Sequence, residues 1–235
     1  MRMICLWRDS NIAYLDRVKR ATVAATAINS IEQFPPQALS PTYELMIATP
    51  GDHQFEEACD FSREQYGKHF SCELNQFYPS MFCLYKDDVL VACCGFRRAS
   101  DEALFLEQYL DQPIEESILA STGSAIERRL QRQEIVEIGC LAVLSRNEAL
   151  AFMVRLAPQF LALGFSHATS TVTVPVRECL QKLGIASVYL AEALPERVSQ
   201  ADNAWGGYYA LSPVVLAGAI QPAIDHMAPF LALLQ

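Results

Sequence analysis

The apolar run Val136-Glu137-Ile138-Gly139-Cys140-Leu141-Ala142 contains a single carboxylate. At the end of a central strand, such a group can orient an amine. Directly or through water, it can also accept the amine's proton during attack on a thioester. The competing role for Glu137 is an ion pair with a nearby arginine such as Arg97. Arg97 itself ends the triplet Gly95-Phe96-Arg97, and its planar fork can hold a phosphate or a carboxylate. Glu107 has apolar neighbours on both sides in Phe105-Leu106-Glu107-Gln108-Tyr109-Leu110, so it must turn from the core or be buried with a partner. Cys140 suggests a nucleophile, yet no basic neighbour in the sequence lowers its pKa. A thiol inside an apolar strand is usually inert packing, which puts Cys140 beside a site rather than in its chemistry. Trp205, Tyr208 and Tyr209 read either as an aromatic wall for an acyl chain or as core aromatics of a terminal strand.

The elements that would position these residues can be read from pattern. Residues 43–48 form a short strand, Pro50-Gly51 a turn, and Asp52 the N-cap of a helix to about residue 70. Apolar runs 81–85 and 89–96, separated by Lys86-Asp87-Asp88, have the spacing of a β-hairpin. Residues 114–132 read as helix and 135–143 as a buried strand. Ser145-Arg146-Asn147-Glu148 then spells a capping box, opening a helix that passes Pro158, a kink candidate, and stops at Gly164. Residues 166–174 form the next strand, Pro175 starts a helix closed by Gly184, and 187–190 form a further strand. This order predicts a mixed sheet, with the strand of Glu137 parallel to the strand of Thr171.

Composition narrows the function classes. A formal charge of -9 opposes nonspecific attraction to nucleic acid or to an anionic lipid surface. Arg97 and Arg98, and again Arg128, Arg129 and Arg132, form local clusters where an acidic cofactor or carrier could dock; a solvated helix face is the plainer reading of the second. The eight cysteines include no C-x-x-C pair, and several lie in apolar runs, as reduced buried thiols do. The four histidines lack zinc-site spacing, so no metal is expected. Residues 19–28 mimic a signal peptide but are preceded by Asp9 and Asp16, and the apolar stretches 156–176 and 203–220 contain glycine, proline and polar residues. Neither secretion nor a membrane span is expected from them.

The motifs Phe77-Tyr78-Pro79, Gly95-Phe96-Arg97 leading to Phe105-Leu106-Glu107-Gln108-Tyr109-Leu110-Asp111, the Glu137 run, and Trp205-Gly206-Gly207-Tyr208-Tyr209 together resemble the thermostable hemolysin family over roughly residues 55–220. That family is similar in layout to the acyl-homoserine-lactone synthases. Here Glu137 matches their glutamate, while Cys140 stands where they carry arginine. The resemblance implies an α/β (α+β) chain of N-acyltransferase-like fold, with a mixed central sheet and helices on both faces. It also implies catalytic roles for Glu137 and Glu107, and a substrate pocket of Arg97, Gln108, Tyr109, Cys140, Thr171 and Trp205. The turn 144–149 has no glycine to let a pyrophosphate reach bare backbone. A pantetheine donor is therefore expected between splayed strands, contacted by Ser145 and Arg146.

The resulting expectation is an acyltransferase that moves an acyl group from a thioester donor, CoA or acyl carrier protein, to a small amine. No permanently bound cofactor is expected. A membrane-active protein and a noncatalytic binding protein on the same fold are the alternatives. Residues 1–40 would form an N-terminal helical appendage and linker, 41–220 the acyltransferase-like domain, and 221–235 a C-terminal helix packed on it. The expected location is cytoplasmic, with acyl carrier protein and a second copy of the chain left open as partners.

Overall fold

A computed structural model describes residues 42–122, 129–198 and 205–233; the expected appendage, residues 1–40, lies outside them. Apolar runs bounded by turn residues become strands β1 (Tyr43–Ala48), β2 (Ser80–Lys86) and β3 (Val89–Arg98). β1 and β2 are joined by helix α1 (His53–Phe70). Asp52 does stand at the N-cap position, but its carboxylate accepts from the Thr49 N–H at 2.8 Å instead of capping the helix. Asp87 and Asp88 close the β2–β3 hairpin with φ of 49° and 65°, left-handed values that aspartate tolerates in such two-residue turns.

A 3-10 turn (Phe105–Tyr109) and helix α2 (Ile114–Thr122) lead towards β4 (Ile135–Val143), which has the bounds read from sequence. Ser145 caps α3 (Arg146–Ala162), its hydroxyl accepting from the Glu148 N–H at 3.5 Å. The helix continues past Pro158, and Gly164 takes a positive φ just beyond its end. β5 (His167–Val172), α4 (Val174–Lys182), β6 (Val188–Glu192), β7 (Val214–Ala219) and α5 (Ile220–Leu233) complete the order.

The sheet order is β1-β2-β3-β4-β5-β7-β6. Only β4 and β5 are parallel, in register from Ile135↔His167 to Ile138↔Ser170; the other neighbours are antiparallel. Because side chains alternate along a strand, Phe82 and Leu84 pack with Phe152 and Phe160 of α3 on one face, whereas Met81 and Cys83 meet Phe55 and Cys59 of α1 on the other. Helices therefore cover both faces. α2 buries Ile114 and Ile118 against Ile135, Val215 and Ala217.

Two sequence expectations are corrected. The helix predicted over 114–132 ends at Thr122, residues 123–128 lie outside the described residues, and Arg132 begins a separate 3-10 turn. Arg132 is drawn inward by Glu107 and Glu115, at 2.6 and 2.9 Å. The second correction concerns Trp205, Tyr208 and Tyr209, which precede the last strand rather than forming it. They lie in a turn and a short 3-10 helix before β7, which inserts between β5 and β6.

The core identifies the residue on which the packing of α3 depends. Phe152 is fully buried in the main cluster, and truncating such an aromatic leaves a cavity costing about 3–5 kcal/mol. Phe152→Ala is expected to lower the unfolding free energy by about that amount, measured by denaturant titration; a loss below about 1 kcal/mol would contradict this packing.

Candidate functional site

β4 carries an irregularity that opens the sheet. Between the cross-strand pairs Cys93↔Ala142 and Gly95↔Gly139, β3 has one residue and β4 has two, Cys140 and Leu141. The extra residue is a β-bulge, and Cys140 occupies it with φ 49°, a left-handed value uncommon for a residue with a side chain. A bulge bends its strand, and pairing of β4 with β5 ends just before it, at Ile138↔Ser170. Into the gap opens a cavity of about 360 Å³, with Gly139, Cys140 and Leu141 on one wall and Thr171, Val172 and Thr173 on the other.

The third wall is the 3-10 turn, which presents Phe105, Gln108 and Tyr109. Aromatic rings close the fourth. Trp205 lies 5.7 Å from Phe105 and 5.5 Å from Tyr208 between ring centroids, and Tyr208 meets Phe70 of α1 edge-on at 5.5 Å. The Trp205 segment is tied to the end of α1 by the Gly207 N–H, which donates to Phe70 O at 2.6 Å. Arg97, Gln108, Tyr109, Cys140, Thr171 and Trp205 all border this cavity. Thr171 brings a feature not legible in sequence: its Oγ1 is buried without a hydrogen-bond partner.

Glu137 does not border the cavity; it lies beside it, 1% exposed. One oxygen accepts from the Leu106 N–H at 2.9 Å, and the other from the Phe105 N–H at 3.0 Å. Arg97 Nε lies 3.3 Å from the second oxygen, and the Tyr78 phenol is near enough to help lower the pKa of the carboxyl. Burial pushes the Glu137 carboxyl up, the Leu106 N–H, the Arg97 charge, the Phe105 N–H and Tyr78 pull it down, and the net direction is upward. Both roles weighed for this residue thus coexist geometrically: it is ion-paired, and it sits next to a cavity.

Glu107 is not among the residues lining the cavity and is instead held with a partner, one of the two placements its apolar flanks allow. Its carboxylate takes a two-pronged bond from Arg132 at 2.6 and 3.0 Å and accepts the N–H groups of Leu104 and Ile114, each at 2.9 Å. Burial alone would raise its pKa; the Arg132 bond and the two backbone N–H groups outweigh that and leave it lowered. Glu107 and Glu137 therefore both fasten the turn that forms the third wall. Ser145 and Arg146, at the start of α3, also lie outside the cavity lining. Cys140 borders it, but burial pushes its thiol up to about 12, so it is not a thiolate at neutral pH. Among the described residues, no three His, Cys, Asp or Glu side chains converge on a metal site.

Tyr78 is a cavity residue that the sequence reading left without a role, although Phe77-Tyr78-Pro79 stood among its motifs. Its ring lies across β3 and β4 where they carry the paired glycines Gly95 and Gly139. A Cβ at 95 would come within 2.6 Å of the ring, and one at 139 would overlap the hydroxyl. The Arg97 guanidinium covers the ring at 4.4 Å. Burial pushes the phenol well above its usual value, and Glu137 and Cys140 add to the rise.

A mixed sheet whose two parallel strands part at a bulge, beneath an aromatic-walled cavity, defines an N-acyltransferase-type fold, and solved structures share it. The AHL synthase LasI matches with TM-score 0.53 at 13% identity, covering 78% of this chain and 95% of that one. FeeM, an N-acyl amino acid synthase from uncultured soil microbes, matches with TM-score 0.54 at 12% identity, covering 83% and 100%. The CoA-dependent acyl-homoserine lactone synthase BjaI, solved with SAM and isopentyl-CoA, matches with TM-score 0.51 at 12% identity, covering 78% and 87%. No curated protein matches the sequence significantly. The chain belongs to the thermostable hemolysin family, whose model matches residues 48–224.

The two carboxylates make separable predictions. Glu137→Gln offers one acceptor and a competing NH2 to two buried N–H donors, leaving a buried polar group unmatched. The variant is expected to lose about 1–3 kcal/mol in denaturant unfolding, and unchanged stability would show that the turn does not depend on this carboxylate. Glu107 has a lowered pKa, so its contribution is present above the ordinary carboxylate range and lost as pH falls through the folded value. The melting-temperature gap between wild type and Glu107→Gln should shrink as pH is lowered from neutrality to below about 4; a constant gap would contradict the assigned network.

Proposed function

We propose that this protein transfers an acyl group from a thioester donor, acyl-CoA or acyl carrier protein, to a small amine. One observation carries the reading: the parallel strands β4 and β5 separate at the Cys140 bulge and open into a cavity with an unpartnered Thr171 Oγ1 in its wall. Ligands of open α/β sheets bind at the carboxyl ends of the strands, and backbone released from pairing can receive the polar atoms of an extended donor. The acyl chain would rest against Phe105 and Trp205, and the thioester carbonyl would lie near the bulge. A donor threaded between the strands would leave its more polar end to Ser145, Arg146 and the N-terminus of α3, where anions are favoured.

In this reading the amine attacks the thioester carbon in the cavity, and Glu137 receives the proton released from it. Burial raises the pKa of Glu137, which makes its carboxylate a stronger proton acceptor than an exposed one. Arg97 and Glu107 then act by position, Arg97 by holding Glu137 and Tyr78, and Glu107 by holding the turn. Acyl-CoA and acyl carrier protein are made in the cytoplasm, the location this function implies. No described helix is long and apolar enough to cross a membrane.

Purified protein should be incubated with acyl-CoA and acyl carrier protein donors of short to long chain and with a panel of amines, followed by thiol release and mass spectrometry. Amine-dependent thiol release matched by amide product is the expected result; no amide from any donor and amine would overturn the proposal. In parallel, anionic liposomes should retain entrapped dye. Leakage at low protein concentration would favour the membrane-active alternative.

A further inference from the structure

We propose that Tyr78 is the proton relay between the cavity and Glu137, a role that rests on the acyl-transfer reading above. Glu137 is buried beside the cavity without bordering it, while Tyr78 reaches both: its side chain forms part of the cavity wall, and its phenol lies near enough to the carboxyl to lower its pKa. The ring is fixed by three independent contacts. Gly95 and Gly139 leave the space it fills, and the Arg97 guanidinium covers it at 4.4 Å. Gly139 lies directly before the bulge residue Cys140, so the hydroxyl stands at the point where β4 turns from β5.

The relay balances without an added reagent. The amine nitrogen bonds the thioester carbonyl carbon, its proton moves to Tyr78 Oη, and the proton already on Tyr78 moves to the Glu137 carboxylate. The C–S bond then breaks with its electron pair on sulfur, and the stored proton returns by the same route to give the thiol. The net products are amide and thiol, and neither residue is changed. A phenol held above its usual pKa suits a relay, because no free phenolate forms. The titratable groups facing Tyr78 are Glu137 and Cys140 on β4, Arg97 on β3 and Tyr66 on α1.

Tyr78→Phe separates chemistry from architecture, since it keeps the ring on the two glycines and under Arg97 and removes the hydroxyl alone. Using the donor and amine turned over by the wild type, the variant is expected to lose about a hundredfold or more in kcat, with the donor KM within a few-fold and thermal unfolding still cooperative. A kcat within about threefold of wild type would overturn the relay while leaving acyl transfer standing. A wild type that transfers no acyl group overturns the acyl-transfer reading and the relay with it. Should Tyr78→Phe fail to fold, a fluorinated tyrosine at position 78 keeps the shape and the hydroxyl but lowers the phenol pKa. The pH profile of kcat should then move to lower pH, and a superimposable profile would overturn the relay.

Discussion

The site depends on the bonds that the Glu137 carboxylate accepts from the N–H groups of Phe105 and Leu106. They join a central strand to a turn that has no sheet partner of its own, and so fix one wall of the cavity. A buried carboxylate is costly unless its lone pairs are met. Here Arg97 and Tyr78 supply the remaining contacts, so the same charge gathers a guanidinium and a phenol around it. Glu107, in the same turn, repeats the principle by collecting Arg132 and the N–H groups of Leu104 and Ile114.

The second constraint is steric. Tyr78 can lie across β3 and β4 only because residues 95 and 139 lack side chains, and the bulge at Cys140 directly follows the second of these. One stretch of β4 therefore provides the buried acid, the bare surface for the phenol and the bend that separates it from β5. The sheet irregularity and the buried carboxylate are coupled through neighbouring residues, not through distant elements.

Much of the scaffold was legible in the sequence. The run 135–143 is apolar and bounded by charged and turn residues, and its bounds match β4; Ser145 with Glu148 marked the start of α3. Six residues singled out in the sequence also border one cavity although they come from five segments of the chain. The bulge was not legible, because Cys140 takes a conformation that usually signals itself by glycine. That Glu107 needed a buried partner was legible from its apolar flanks, but the identity of that partner was not, because Arg132 lies 25 residues away, beyond any local pattern. β7 went unassigned because the aromatic cluster before it drew the strand reading towards Trp205, while the apolar run Val214-Val215-Leu216 carried the strand.

The central claim is that the opening between β4 and β5 receives a thioester. Its most direct test is a crystal structure with a non-hydrolysable thioether analogue of acyl-CoA. The account expects the carbonyl-side end of the acyl group between Gly139–Leu141 and Thr171–Thr173, with its chain against Phe105 and Trp205. An analogue bound elsewhere, with this opening unoccupied at saturating concentration, would contradict it.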